Sequence, residues 1–190
     1  MIGPTNAGKS TLVNALVGAK VTIVSHKVQT TRVPIRGIAI EGASQLVFID
    51  TPGIFTPKRR LDRAMVDAAW GGAKDADVVA VVIDAVRGLD EDAERILNGL
   101  KPEKAPHILI LNKVDLVAEK DRLLALVARL TERVRFADVF MISATDGDGI
   151  ADLRRHLAAM VPAGPWHYPE EDVSDAPLRL LAAEITRERI

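Results

Sequence analysis

The 190-residue sequence contains no cysteine. That excludes disulfides, thiolate catalysis and thiolate metal sites, and it fits a reducing compartment. Histidine is scarce: only His26, His107, His156 and His167 occur, too scattered to form a metal site. An excess of either charge is also missing. With 25 Lys and Arg against 26 Asp and Glu the formal net charge is −1, so nothing in the overall balance attracts nucleic acid or an anionic membrane. No apolar run approaches the roughly 18 residues of a membrane span, and no signal-peptide pattern is present. These absences lead to an expectation of a cytoplasmic protein. The remaining composition, 48% hydrophobic and 27% charged, is that of a soluble globular chain long enough for one domain with residues to spare.

What is present begins with GPTNAGKS. Gly3, Gly8, Lys9 and Ser10 fit G-x-x-x-x-G-K-[ST], a loop whose glycines let successive backbone N–H groups turn inward around phosphate oxygens. STLVNALVG follows as a helix stopped by Gly18, and its N-terminus favours an anion. Asn6, Ala7, Gly8, Lys9, Ser10 and Thr11 are the candidate phosphate cradle. Lys9 is expected to reach the β- and γ-phosphates, and the Ser10 hydroxyl to bind Mg²⁺. Such a loop normally follows a buried strand of five or six residues, yet only Met1 and Ile2 precede it. We read the opening as an N-terminally shortened form of a longer protein.

Beyond a polar, irregular stretch ending at Pro34, IRGIAIEG and SQLVFID flank a Gly42 turn and predict an antiparallel hairpin. A helix is expected from about Leu61 to Ala73. VVAVVIDA, HILILN and VFMIS are apolar runs of the kind buried on both faces of a parallel sheet, alternating with helices at 90–100, 118–134 and 150–160. That rhythm predicts an α/β doubly wound sheet of the P-loop NTPase type, mostly parallel with an antiparallel edge hairpin strand. Helices cover both faces, and the ligand lies at the carboxyl ends of the strands. PAGPWHYPEEDVSDAP breaks the rhythm as a linker, and LRLLAAEITRERI begins a fresh amphipathic helix. The expected division is a nucleotide domain over 1–162, a linker over 163–176 and the start of a second domain over 177–190.

Three further motifs lie on loops after strands. Asp50-Thr51-Pro52-Gly53 gives D-x-x-G, with Asp50 joining the Mg²⁺ shell and the Gly53 N–H meeting the γ-phosphate; Asp146-Gly147-Asp148-Gly149 matches too but reads as a turn before a helix. Asn112-Lys113-Val114-Asp115 ends HILILN. Guanine presents N1–H and its 2-amino group as adjacent donors that the Asp115 carboxylate can accept together. Adenine offers no such pair, and a carboxylate buried under the wrong base loses its partners, a mismatch worth roughly 10⁴-fold. The expected ligand is therefore GTP or GDP and not ATP, with the Lys113 stem packed over the base and Asn112 bracing the loops. A backbone N–H at Ser143-Ala144 is placed to donate to guanine O6.

With KVQTTR at 27–32, GPTNAGKST, DTPG, NKVD and the closing WHYPEEDVSDAPLRLLAAEITRERI, the chain resembles translation-factor-related GTPases, specifically the Era family of ribosome-assembly GTPases in the TrmE-Era-type class. The resemblance covers essentially the whole chain. It implies a GTP-hydrolysing switch in small ribosomal subunit (30S) assembly and 16S rRNA maturation. Residues 177–190 would open a KH-type RNA-binding domain that the sequence does not complete. The partners implied for the parent protein are 16S rRNA and the small subunit, with no DNA; RNA binding by these residues alone is not expected, and peripheral association with the inner face of the cell membrane stays open. Lys58-Arg59-Arg60 is a local basic cluster, either a solvated loop or a ribosome contact.

The polar stretch before Pro34 reads as a mobile segment, and the resemblance also places a threonine from it on Mg²⁺. Thr31 suits the family position better than Thr30, and both remain open. Catalysis is assigned to Lys9, Thr31 and Gly53, and the metal to Ser10, Thr31 and Asp50. Loss of the γ-phosphate should loosen residues around 24–36 and 53–62. Ile54 stands where many small GTPases carry a water-orienting glutamine, so slow hydrolysis is expected, no faster than roughly 10⁻³ s⁻¹. Asn6 matches a family asparagine linked in some relatives to K⁺. A related GTPase of tRNA modification or of another ribosomal step, and a non-hydrolysing guanine-nucleotide module, are the alternative functions.

Overall fold

In the computed structural model, residues 1–24, 34–57, 59–100 and 105–175 are described. The expected helix and strand order is present. Helix α1 spans Lys9–Val17, the hairpin is β1 (Ile35–Glu41) and β2 (Ser44–Asp50), and α2 spans Arg60–Lys74. The rest alternates as β3 (Val79–Asp84), α3 (Glu91–Gly99), β4 (His107–Asn112), α4 (Asp121–Arg133), β5 (Asp138–Ile142) and α5 (Ile150–Met160). The strands form two sheets, an antiparallel β1–β2 pair and a parallel sheet in the order β3–β4–β5.

Local chemistry explains the boundaries. Gly18 ends α1 at φ 76, a left-handed cap open to glycine, with its N–H on the Asn14 carbonyl. Asp90 caps α3 by accepting from Ala93 N, and Glu91, Asp92 and Glu94 oppose the positive end of the helix dipole. Every residue of β3 and β4 is buried. Alternate side chains of β3 enter opposite cores: Val79, Val81 and Ile83 pack with Ala69, Ile96, Leu126 and Leu130 from α2, α3 and α4. Ala80 and Val82 pack with Leu12, Leu16, Leu153 and Leu157 from α1 and α5. Helices on both faces follow from that period-two division.

The first residues stitch the two sheets together. Ile2 pairs in parallel with Val81, donating to the Ala80 carbonyl at 2.9 Å and accepting from Val82 N at 2.8 Å. On the other side Met1 N donates to the Ile49 carbonyl at 2.8 Å, Thr51 Oγ1 donates to the Met1 carbonyl at 2.6 Å, and Ile54 N donates to the Gly3 carbonyl. Met1–Pro4 thus holds the position of a strand between β2 and β3. A Cβ on Gly3 would lie 2.3 Å from the Val82 carbonyl oxygen, so only glycine permits this approach.

The stretch read as a linker follows the hairpin closely. Ile38 N donates to the Val173 carbonyl, the Gln45 side chain bonds the backbone of His167 and Tyr168, and Trp166 Nε1 donates to the Ala43 carbonyl. Arg36 and Asp175 form an ion pair at 2.7 Å. Residues 177–190, assigned above to a second domain, lie outside the described residues. Among the described residues no helix is long and apolar enough to cross a membrane.

Candidate functional site

The Gly8 turn, the ends of β2, β3 and β4 and the loop after β5 meet at one rim. Gly8 has φ 90, and a Cβ there would sit 2.2 Å from Asn112 Nδ2. The Asn112 side chain is what fills that space. Buried at 1% exposure, it donates to the Ala7 carbonyl at 2.9 Å and accepts from Lys113 N at 2.9 Å and Ala144 N at 3.0 Å. One amide therefore joins the phosphate loop, the end of β4 and the loop after β5, the bracing expected from its position.

Lys9, in the first turn of α1, is buried, and its ammonium donates to the carbonyls of Gly3 (3.1 Å) and Pro4 (2.8 Å). Burial lowers its pKa to about 8, opposed by the nearby Asp50 carboxylate. Ser10 Oγ donates to Asp50 Oδ2 at 2.7 Å, and Asp50 is fully buried at the end of β2. A hydroxyl and a carboxylate are hard oxygen donors of the type Mg²⁺ takes while keeping waters and phosphate oxygens as its other ligands. Among the described residues no cluster of three or more His, Cys, Asp or Glu suits a metal held by protein alone. The donor set fits Mg²⁺ bound together with phosphate. Thr30, Thr31 and the neighbouring Arg32 lie outside the described residues.

Gly53 follows within reach of the phosphate loop: a Cβ on it would approach Thr5 Cγ2 to 2.6 Å and the Thr5 backbone to 2.8 Å. Ile54 is wholly buried beside Ile2 in the core. Its aliphatic side chain is therefore a packing group with no hydrogen bond to offer a water or phosphate. Thr11 lies half-buried in α1.

Three placements differ from expectation. Asp115 is exposed and, among the described residues, has no hydrogen-bond or ion-pair partner, so the burial needed for base discrimination must come from the base itself. Lys113, at φ 66, turns its ammonium onto the Asn6 carbonyl (2.7 Å) and Asp84 Oδ2 (2.6 Å), so its charge, and not only its stem, is part of the site. The amides expected to serve guanine O6 are already engaged: Ser143 N donates to the Asp148 carbonyl, and Ala144 N to Asn112 Oδ1. A guanine O6 contact from Ala144 would share or replace its bond to Asn112 Oδ1. The Asp146–Gly149 stretch is the expected turn, with Gly147 and Gly149 both at positive φ and Asp146 N on Ser143 Oγ.

Other anchors carried no motif. Arg87 Nη1 donates to the Thr5 carbonyl at 3.1 Å. Asn14 accepts from the amides of Val21 and Thr22 and donates to the Thr22 carbonyl, fixing the chain at the end of the described residues 1–24. The only signal available for Asp84 was its place at the carboxyl end of an apolar strand.

A glycine-rich turn opening α1, an acidic residue ending β2 and a carboxamide-centred loop ending β4, all on one rim of a doubly wound sheet, define a P-loop GTPase fold. Residues 1–113 match the family model described as 50S ribosome-binding GTPase. The chain belongs to that family and, within it, to the Era group. It is 64% identical over all 190 residues to the GTPase Era of Afipia carboxidovorans and 62% identical to that of Rhizobium meliloti. It spans 61% and 60% of those proteins, about three fifths of their length. Among solved structures, Era in complex with MgGDPNP and nucleotides 1506–1542 of 16S ribosomal RNA superposes with a TM-score of 0.93 at 37% identity, covering 99% of this chain and 64% of that one. A variant of Aquifex aeolicus Era bound to GDP·AlF4⁻ gives 0.92 at 37% identity with the same coverage.

Proposed function

We propose that this chain is the nucleotide-handling part of a GTP-hydrolysing switch whose parent protein acts on 16S rRNA in small ribosomal subunit assembly. The observation that carries the nucleotide half is the Asn112 side chain, which bonds both the phosphate loop at Ala7 and the base-side loop at Ala144. One buried group thereby sets the spacing between a pyrophosphate cradle and an exposed carboxylate able to read a purine edge. The relatives' names, and the 16S rRNA in the solved Era complex, support the ribosomal half.

In this reading the amides of the Asn6–Thr11 turn hold the pyrophosphate, and the Lys9 ammonium leaves the Gly3 and Pro4 carbonyls for the β- and γ-oxygens. Ser10 and Asp50, with Thr31, would hold Mg²⁺, which when bound would neutralise charge on the β- and γ-phosphates. Gly53 presents its N–H to the γ-phosphate, and Asp115 accepts from guanine N1–H and the 2-amino group. Asn6, at φ 62 beside the cradle, is the candidate ligand for K⁺. The domain division at 162 and 176 belongs to the same proposal, supported by the end of α5 at Met160.

Phosphate release from GTP with Mg²⁺, competed by GDP and by ADP in parallel, tests it. Slow release suppressed by GDP alone is expected. Tight GDP binding without any release would instead identify a non-hydrolysing guanine-nucleotide module, and competition by ADP would contradict the assignment of Asp115.

A further inference from the structure

The end of β3 carries a charged group that none of the nucleotide motifs contains. Asp84 is the last residue of β3, paired in register with Asn112, the last residue of β4. The residue is 6% exposed, and its carboxylate is divided between two tasks. Oδ1 accepts from Val86 N at 2.9 Å and Arg87 N at 3.3 Å, which shapes the loop after the strand. Oδ2 faces the Lys113 ammonium at 2.6 Å, and that same ammonium donates to the Asn6 carbonyl at 2.7 Å.

A lysine in the left-handed backbone region is uncommon and strained by about 1 kcal/mol. Lys113 keeps that geometry at φ 66, with its side chain laid along the rim toward Asn6, itself at φ 62. Two left-handed residues face each other, and the buried carboxylate lies behind their contact. Without a fixed counter-charge a lysine side chain would regain its rotamer freedom in solvent, which is worth up to about 2 kcal/mol. A second cation, from the loop after β3, reinforces the arrangement: Arg87 pairs with Asp90 at 2.5 Å and donates to the Thr5 carbonyl. Two successive carbonyls of the phosphate loop are thus held from outside, Thr5 by Arg87 after β3 and Asn6 by Lys113 after β4.

We propose that Asp84 is a positioning residue for nucleotide binding, holding Lys113 on the Asn6 carbonyl so that the base-side loop and the phosphate loop form one rigid clamp before and during occupancy. This rests on the guanine-nucleotide function proposed above. Asp84 touches neither base nor phosphate; it acts through Lys113.

Asp84→Asn is the informative variant, because the amide retains an Oδ1 acceptor for Val86 and Arg87 while the charge facing Lys113 is lost. GDP dissociation, followed with a fluorescent analogue on the full chain, should accelerate roughly tenfold, within the range expected for losing one charge-assisted hydrogen bond. Dissociation of inosine diphosphate should accelerate by the same factor, because the 2-amino group is read by Asp115 and not by the clamp. In a Lys113→Met background the Asp84→Asn change should add less than about twofold, since the two residues act as one unit. A purely structural role for Asp84 would add its full effect in that background, and this additivity, or a dissociation rate for Asp84→Asn within about twofold of the parent, would overturn the proposal. GDP binding by the parent chain keeps the two claims apart. Its absence would bring down the proposed function and this inference with it, whereas parental binding with an indifferent Asp84→Asn removes the positioning role alone.

Discussion

Gly8 and Asn112 occupy one space: a Cβ on the glycine would fall 2.2 Å from the Asn112 amide nitrogen that donates to the Ala7 carbonyl. Phosphate loop and base-side loop therefore touch through a residue that has no side chain. Gly8→Ala should destabilise the fold by about 3 kcal/mol, combining the left-handed penalty at φ 90 with loss of a buried hydrogen bond. GDP binding should fall at least about a hundredfold. Urea unfolding and a GDP titration check both; unchanged values would mean that the turn is far more plastic than its packing implies.

Asp50 meets the Ser10 hydroxyl at 2.7 Å from the far end of the hairpin. Asp50→Asn keeps the shape and an acceptor but removes the charge. The Mg²⁺ concentration that half-saturates GTP hydrolysis should rise at least about tenfold, while GDP affinity in excess chelator changes by less than about threefold. An equal loss with and without Mg²⁺ would assign Asp50 to the fold and not to the metal.

The buried Lys9 amine has its pKa lowered to about 8 by desolvation. A bound pyrophosphate raises it again, so binding takes up a proton wherever the amine was partly neutral. The sign is definite: at pH 8 uptake should approach about half a proton per GDP bound, at pH 6.5 this contribution should vanish, and affinity should decline as pH climbs past 8. Calorimetry in buffers of differing ionisation enthalpy measures the uptake. A Lys9→Met variant should lose nucleotide binding without losing thermal stability.

Much of this was legible in the linear chain because the informative features are local. A glycine-rich turn before an amphipathic helix, alternating apolar strands, and a carboxylate or carboxamide at a strand end all betray themselves within a few residues. What stayed hidden depends on neighbours brought together from afar. Asp84 and Lys113 are 29 positions apart and meet only because β3 and β4 pair in parallel with their ends in register. The engagement of the Ala144 amide needs the Asn112 side chain to reach from β4 across to the loop after β5. The contact of Val173 with Ile38 was unreadable for another reason: a proline- and acid-rich stretch shows no strand periodicity, yet the open edge of β1 supplies unpaired amides for it to bond. Ile54 shows the converse, since its departure from glutamine was plain in the sequence while its burial against Ile2 was not.

The claim on which all else depends is that the Asp115 carboxylate reads the Watson–Crick edge of guanine. Calorimetric titration of the parent and of Asp115→Asn with GDP, ADP and xanthosine diphosphate tests it most directly. The parent should bind GDP alone; the variant should lose most of that affinity and gain xanthosine diphosphate, whose 2-position carries an acceptor that the new amide can meet. Parent and variant binding GDP equally, or a folded parent indifferent to GDP with Mg²⁺ present, would contradict the account.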